Sequence, residues 1–197
     1  MKKIILIGDS IRIGYEKYVQ EKLAGQAEVM LPDENCRFAM NVLWYLPVWK
    51  ERLHWAEDAD LVHWNAGLWD THHALGEAET FTPPEQYREL LGRVTKRIRH
   101  LFPKAKIVFA LSTPVQEEKY DSYTYWRNAD IRQYNAIARE VFAGTDVLID
   151  DLYSVMENAP EECYSDPTHF YTPEGTERIG NGVLDCICPL LDLHIDK

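Results

Sequence analysis

The sequence predicts an α/β protein built as a three-layer αβα sandwich, and three observations carry that prediction. Short apolar runs alternate along the chain with longer amphipathic ones, the pattern of a parallel sheet covered by helices on both faces. The first run, Ile4-Ile5-Leu6-Ile7, is unbroken by charge and closes on Gly8-Asp9-Ser10, as a buried strand ending in a tight turn does. Two later amphipathic stretches open on helix-start signals, Thr82-Pro83-Pro84-Glu85 and Thr172-Pro173-Glu174-Gly175.

Taken in order, the strands are expected at Lys3–Gly8, Ala27–Leu31, Asp60–Trp64, Lys106–Ser112 and Asp146–Asp150. Between and after them the helical period places helices at Ile13–Ala24, Phe38–Ala56, Pro84–Phe102, Trp126–Ala143 and Pro173–Leu191. Phe102-Pro103-Lys104 ends the central helix, because proline cannot continue it. Right-handed crossovers then give a flavodoxin-like parallel five-stranded sheet with strand order 2-1-3-4-5. Such sheets bind ligands at the carboxyl edge. The longest irregular segments, Leu68–Phe81 and Val115–Tyr125, fall on that edge and are expected to carry substrate contacts.

A chain of 197 residues with 46% hydrophobic content suits a single domain spanning 1–197. Its net charge of −11 argues against a nucleic-acid partner, which would need a clustered basic surface. The one basic run, Lys96-Arg97-Ile98-Arg99-His100, falls at a helix end, where cations suit the macrodipole. No apolar stretch approaches the ~20 residues of a membrane span, so no membrane partner is expected. The apolar segment behind Met1-Lys2-Lys3 is shorter than the ~7 residues of a signal-peptide core, and a cytoplasmic location is the expectation. Cys36, Cys163, Cys186 and Cys188 have neither zinc-ligand nor redox spacing and are read as reduced thiols.

A serine becomes a nucleophile only when a base takes its proton, and a histidine serves as that base when a carboxylate orients it. Ser10 ends the first block, and Asp166-Pro167-Thr168-His169 stands near the far end of the chain. Pro167 keeps that segment from regular helix, so Asp166 can hold one imidazole nitrogen while the other reaches Ser10. A third segment, Asp60-Leu61-Val62-His63-Trp64-Asn65-Ala66-Gly67-Leu68-Trp69-Asp70, is a strand followed by an asparagine.

With these blocks in this order the chain resembles the SGNH hydrolases, also called GDSL esterases and lipases. The resemblance covers residues 8 to 169 and implies that Ser10 is the nucleophile, His169 the general base and Asp166 its orienting partner. It implies an oxyanion hole of the Ser10 N–H, the Asn65 amide and a backbone N–H of the second block. That block usually carries a glycine; the matching stretch, Pro32–Arg37, has none, and Cys36 is taken for the position. The implied activity is hydrolysis of a small-molecule carboxylic ester, with no cofactor. Because the family includes carbohydrate deacetylases, a short acyl group on a sugar or other small alcohol is expected.

Aromatic residues in or beside the edge loops, Trp64, Trp69, Tyr120, Tyr123, Tyr125 and Trp126, suit either a sugar or core packing. Arg12 and Arg37 flank two blocks and read either as ion-paired surface residues or as a hold on an anionic substrate group; Trp69 and Asp70 are further substrate-contact candidates. Asp70, His72 and His73 with His63 have ligand chemistry but irregular spacing, so no metal site is expected. Two other functions compete: a non-catalytic carbohydrate-binding module that kept this fold, and a flavodoxin-like nucleotide or phosphate binder. The second is opposed by Gly8-Asp9-Ser10-Ile11-Arg12-Ile13-Gly14, which is neither a P-loop nor a dinucleotide fingerprint.

Overall fold

The computed structural model describes residues 1–195 and shows one parallel sheet of five strands with order β2-β1-β3-β4-β5. The strands are β1 (Lys2–Ile7), β2 (Ala27–Met30), β3 (Leu61–Trp64), β4 (Lys106–Ala110) and β5 (Leu148–Asp150). The helices are α1 (Ser10–Lys22), α2 (Ala39–Arg52), α3 (Pro84–Leu101), α4 (Asn128–Phe142), α5 (Leu152–Met156) and α6 (Pro173–Leu191). Helices α2, α3 and α4 pack side by side as one layer, and α1, α6 and α5 form the other. This is the expected sandwich and strand order.

Burial explains the strand sequences. β1 is central, Ile4 to Ile7 have no exposed surface, and β3 is buried throughout, so both tolerate the uncharged runs seen in the sequence. Register pairs Ile7 with Trp64 across β1 and β3. The chain leaves β1 toward β2 on one side and later returns to β3 on the other. The ends of β1 and β3 therefore flank the crevice where strand order reverses, and Ser10 and Asn65 follow those two ends.

Two departures from expectation matter here. Helix α1 begins at Ser10 rather than Ile13, because Asp9 caps it: its Oδ1 accepts the Ile11 N–H at 3.0 Å. The short helix α5 was not expected; Asp151 nucleates it by accepting the Ser154 N–H at 3.2 Å. Of the two readings left open for Trp64, core packing holds: it is fully buried and packs edge-on against Phe109 at 4.7 Å. No helix among the described residues is long and apolar enough to cross a membrane.

Candidate active site

The tight exit from β1 sets the site. Asp9 is buried with its carboxylate on the α1 N-terminus; burial pushes its pKa up, while the Ile11 N–H and the Asn65 amide beside it pull it back. Ser10 is then the first residue of α1, where a backbone N–H has no intrahelical acceptor and the helix dipole favours negative charge. The Ser10 Oγ lies 2.8 Å from His169 Nε2. His169 Nδ1 lies 2.8 Å from Asp166 Oδ2 and 2.9 Å from Oδ1.

The loop holding this pair is tied by its own carboxylate. Asp166 Oδ1 accepts the backbone N–H groups of Thr168 and His169 at 2.8 and 2.9 Å. Partial burial acts to raise the Asp166 pKa, but those N–H groups and the His169 ring outweigh it and hold the carboxyl below the usual range. An ionised Asp166 draws the imidazole proton to Nδ1, which leaves the Nε2 lone pair facing the serine hydroxyl. The structure thus brings Ser10, His169 and Asp166 into one hydrogen-bonded line.

Asn65 arrives from the end of β3, its N–H donating to Ile7 O at 2.9 Å and its side chain buried. Its amide lies hard against Gly8, where a Cβ would come within 1.9 Å of Asn65 Oδ1, so only glycine admits it. Cys36 does not fill the expected position. Its N–H donates to the Gly8 carbonyl at 3.1 Å and is not free for an oxyanion; its thiol, desolvated, is pushed up to about 12. The left-handed backbone of this loop falls on Arg37, at φ +52°, and the Arg37 N–H is taken by Asn35 Oδ1 at 2.8 Å.

Two expected substrate contacts are corrected by burial. Arg12 is 1% exposed: it pairs with Glu16 and donates to Glu34 O at 2.6 Å and Pro32 O at 3.3 Å, stitching α1 to the loop after β2. Asp70 has no exposed surface, and its carboxylate accepts the Ala39 N–H at 3.1 Å, capping α2 from another segment. Burial raises the Asp70 pKa to about 6 against the opposing pull of Thr82 and the Ala39 N–H. Arg37 is exposed and Trp69 half-buried, so both remain accessible.

Residues 6–177 match the family described as GDSL-like lipase/acylhydrolase, which is most of the chain. The chain belongs to this family. Its members are ester hydrolases. The GDSL-like fold recurs in a lipase/acylhydrolase from Enterococcus faecalis, 22% identical, with a TM-score of 0.75 over 100% of both chains. An acetyl xylan esterase, AlAXEase, is 18% identical with a TM-score of 0.70 over 94% of this chain and 99% of its own. TesA is 17% identical with a TM-score of 0.69 over 96% and 99% of the two chains. Among curated proteins none matches.

In this GDSL-like hydrolase the loops after β3 and β4 enclose an open cavity of about 530 Å³ whose lining includes Glu117, Tyr120, Asp121, Tyr125, Trp126 and Arg127. Two bonds tie its lining to the segments that carry the site residues. The Tyr120 hydroxyl meets Thr168 Oγ1 at 2.6 Å, next to His169, and Trp126 Nε1 donates to Leu68 O at 2.6 Å, three residues beyond Asn65. The histidines weighed as ligands are dispersed: His63 pairs with Asp150, His73 with Asp130, and His72 stacks on Trp126 at 4.3 Å. Among the described residues no three His, Cys, Asp or Glu side chains gather as a metal site would require. Sequence reasoning missed Tyr171, whose hydroxyl donates to Ser10 O at 2.8 Å. The one mark of it in the sequence is Gly14, a glycine inside the expected first helix, whose meaning shows only in the packing.

Proposed function

We propose that the chain is a serine esterase, one domain over 1–197, acting on a short acyl ester of a sugar or other small alcohol. The observation that carries this reading is the 2.8 Å contact from Ser10 Oγ to His169 Nε2, with Asp166 on the opposite ring nitrogen. His169 takes the hydroxyl proton as Ser10 Oγ bonds to the ester carbonyl carbon, whose oxygen becomes the oxyanion. The Ser10 N–H and the Asn65 amide receive that charge, and the α1 dipole supports it. The C–O bond to the alcohol then breaks, the alkoxide leaving with the proton from the imidazolium. Water, deprotonated by the same nitrogen, attacks the acyl-serine and releases the acid, returning the proton to Ser10.

Support for a small polar alcohol comes from the aromatic and carboxylate lining of the cavity between the loops after β3 and β4, with Trp69 and the exposed Arg37 as further contacts. The membership of an acetyl xylan esterase among proteins of the same fold is consistent with it. The test is hydrolysis of p-nitrophenyl acetate through octanoate by the wild type and Ser10→Ala, with organophosphonate labelling located by mass spectrometry. Turnover of short chains lost in Ser10→Ala, and label on Ser10, is the expected result. A wild type that neither turns over nor labels overturns the esterase reading in favour of a binding module, and a preference for long chains overturns the short-acyl part.

A further inference from the structure

We infer that Tyr171 is a positioning residue that clamps the general base to the nucleophile; the inference rests on the Ser10–His169 reading above. Tyr171 follows His169 by two residues and turns back over it, its ring stacked on the imidazole at 4.8 Å and 26°. The same side chain donates its hydroxyl to the Ser10 carbonyl at 2.8 Å. Its backbone is fixed as well, the N–H donating to Ser165 Oγ at 3.2 Å, while the Ser165 N–H donates to His169 O at 2.9 Å. One residue therefore touches the base through its face and the nucleophile through its backbone.

The opposing surface on α1 is shaped for it. Gly14 lies one turn beyond Ser10, and a Cβ there would come within 2.7 Å of the Tyr171 ring atoms Cδ1 and Cε1. Glycine inside a helix is less favourable than alanine, so α1 gives up stability at this point. The space gained is filled by the Tyr171 ring. With Asp166 on Nδ1, Ser10 on Nε2 and Tyr171 over one face, the imidazole has little freedom to rotate out of line. Orientation of this kind acts on turnover and leaves ester binding alone.

Steady-state kinetics with NMR of His169 test the clamp. Tyr171→Phe keeps the stack and loses the hydroxyl, and kcat should fall about fivefold; Tyr171→Ala should lose about thirtyfold or more, with KM within about twofold in both. Gly14→Ala changes no reacting group, yet it should lower kcat by displacing the ring. In the Tyr171→Ala background the same substitution should leave kcat alone and raise Tm, because no ring remains to displace. The His169 Cε1 proton should be shifted by the tyrosine ring current in the wild type and move in Tyr171→Ala. This resonance reports the stack even in a protein that hydrolyses nothing, so failure of the esterase reading and failure of the clamp are separable. Wild-type kcat in a folded Tyr171→Ala, additive losses in the double variant, or an unmoved His169 resonance would overturn the proposal.

Discussion

Two histidine–aspartate pairs in this molecule have the same closest approach, 2.8 Å between ring nitrogen and carboxylate, and opposite surroundings. His169 and Asp166 sit on the loop before α6 with side chains 25% and 46% exposed, and the second nitrogen of His169 meets Ser10. His63 and Asp150 are 0% and 4% exposed, on β3 and β5, and bridge across the intervening β4. The second nitrogen of His63, Nδ1, has no hydrogen-bond partner among the described residues; the ring beside it belongs to Tyr15, edge-on at 6.3 Å. The pairing alone therefore does not make a proton carrier. What differs is the far nitrogen and the exposure: the pair proposed to be catalytic meets the Ser10 hydroxyl near solvent, whereas the buried pair ties two strands together.

Substitutions can break or sharpen that contrast. Ser10→Ala and His169→Ala should each lower ester turnover by about 10³-fold or more while the protein remains folded by circular dichroism. Equal turnover in Ser10→Ala would detach the exposed pair from the chemistry. Asn65→Ala should lower kcat by about 10²–10³-fold, the usual loss for one oxyanion donor, because Cys36 has no free N–H to replace it. Asp150→Ala leaves His63 buried without its acceptor and should reduce stability in urea by about 1–3 kcal/mol, with kcat of the folded fraction within about threefold of wild type. A large kcat loss there would make the buried pair part of the reaction.

A further prediction concerns Asp70, a buried carboxylate paired with no histidine. Its pKa is pushed from 3.8 to about 6, chiefly by burial, so the folded state holds the proton more tightly than the unfolded chain. The sign follows: this contribution is fully present below 3.8 and is lost as pH rises to about 6. Asp70→Asn retains an acceptor for the Ala39 N–H and should flatten that part of the stability profile, read from urea midpoints across the interval. An unchanged slope would remove Asp70 from the account.

The sheet was legible because burial of β1 and β3 demands uncharged runs, and because crossovers allow few strand orders. The meeting of His169 with Asp166 was legible for a local reason, three residues of spacing interrupted by a proline. What sequence could not give were partners supplied by distant backbone. Cys36 loses its N–H to Gly8 O, and Arg12 is consumed by the carbonyls of Pro32 and Glu34. Asp70 looked like a loop carboxylate facing substrate, yet it caps a helix 31 residues earlier in the chain. Tyr171 carried no motif, and only the glycine that makes room for it marked its place.

Ser10 and His169 are 159 residues apart in the chain, and one hydrogen bond joins the start of α1 to the loop before α6. Ser10 follows the first strand of the sheet, whereas His169 follows the fifth. On the proposed esterase reading, a copy that has not brought α1 and the loop before α6 together carries Ser10 as an ordinary alcohol.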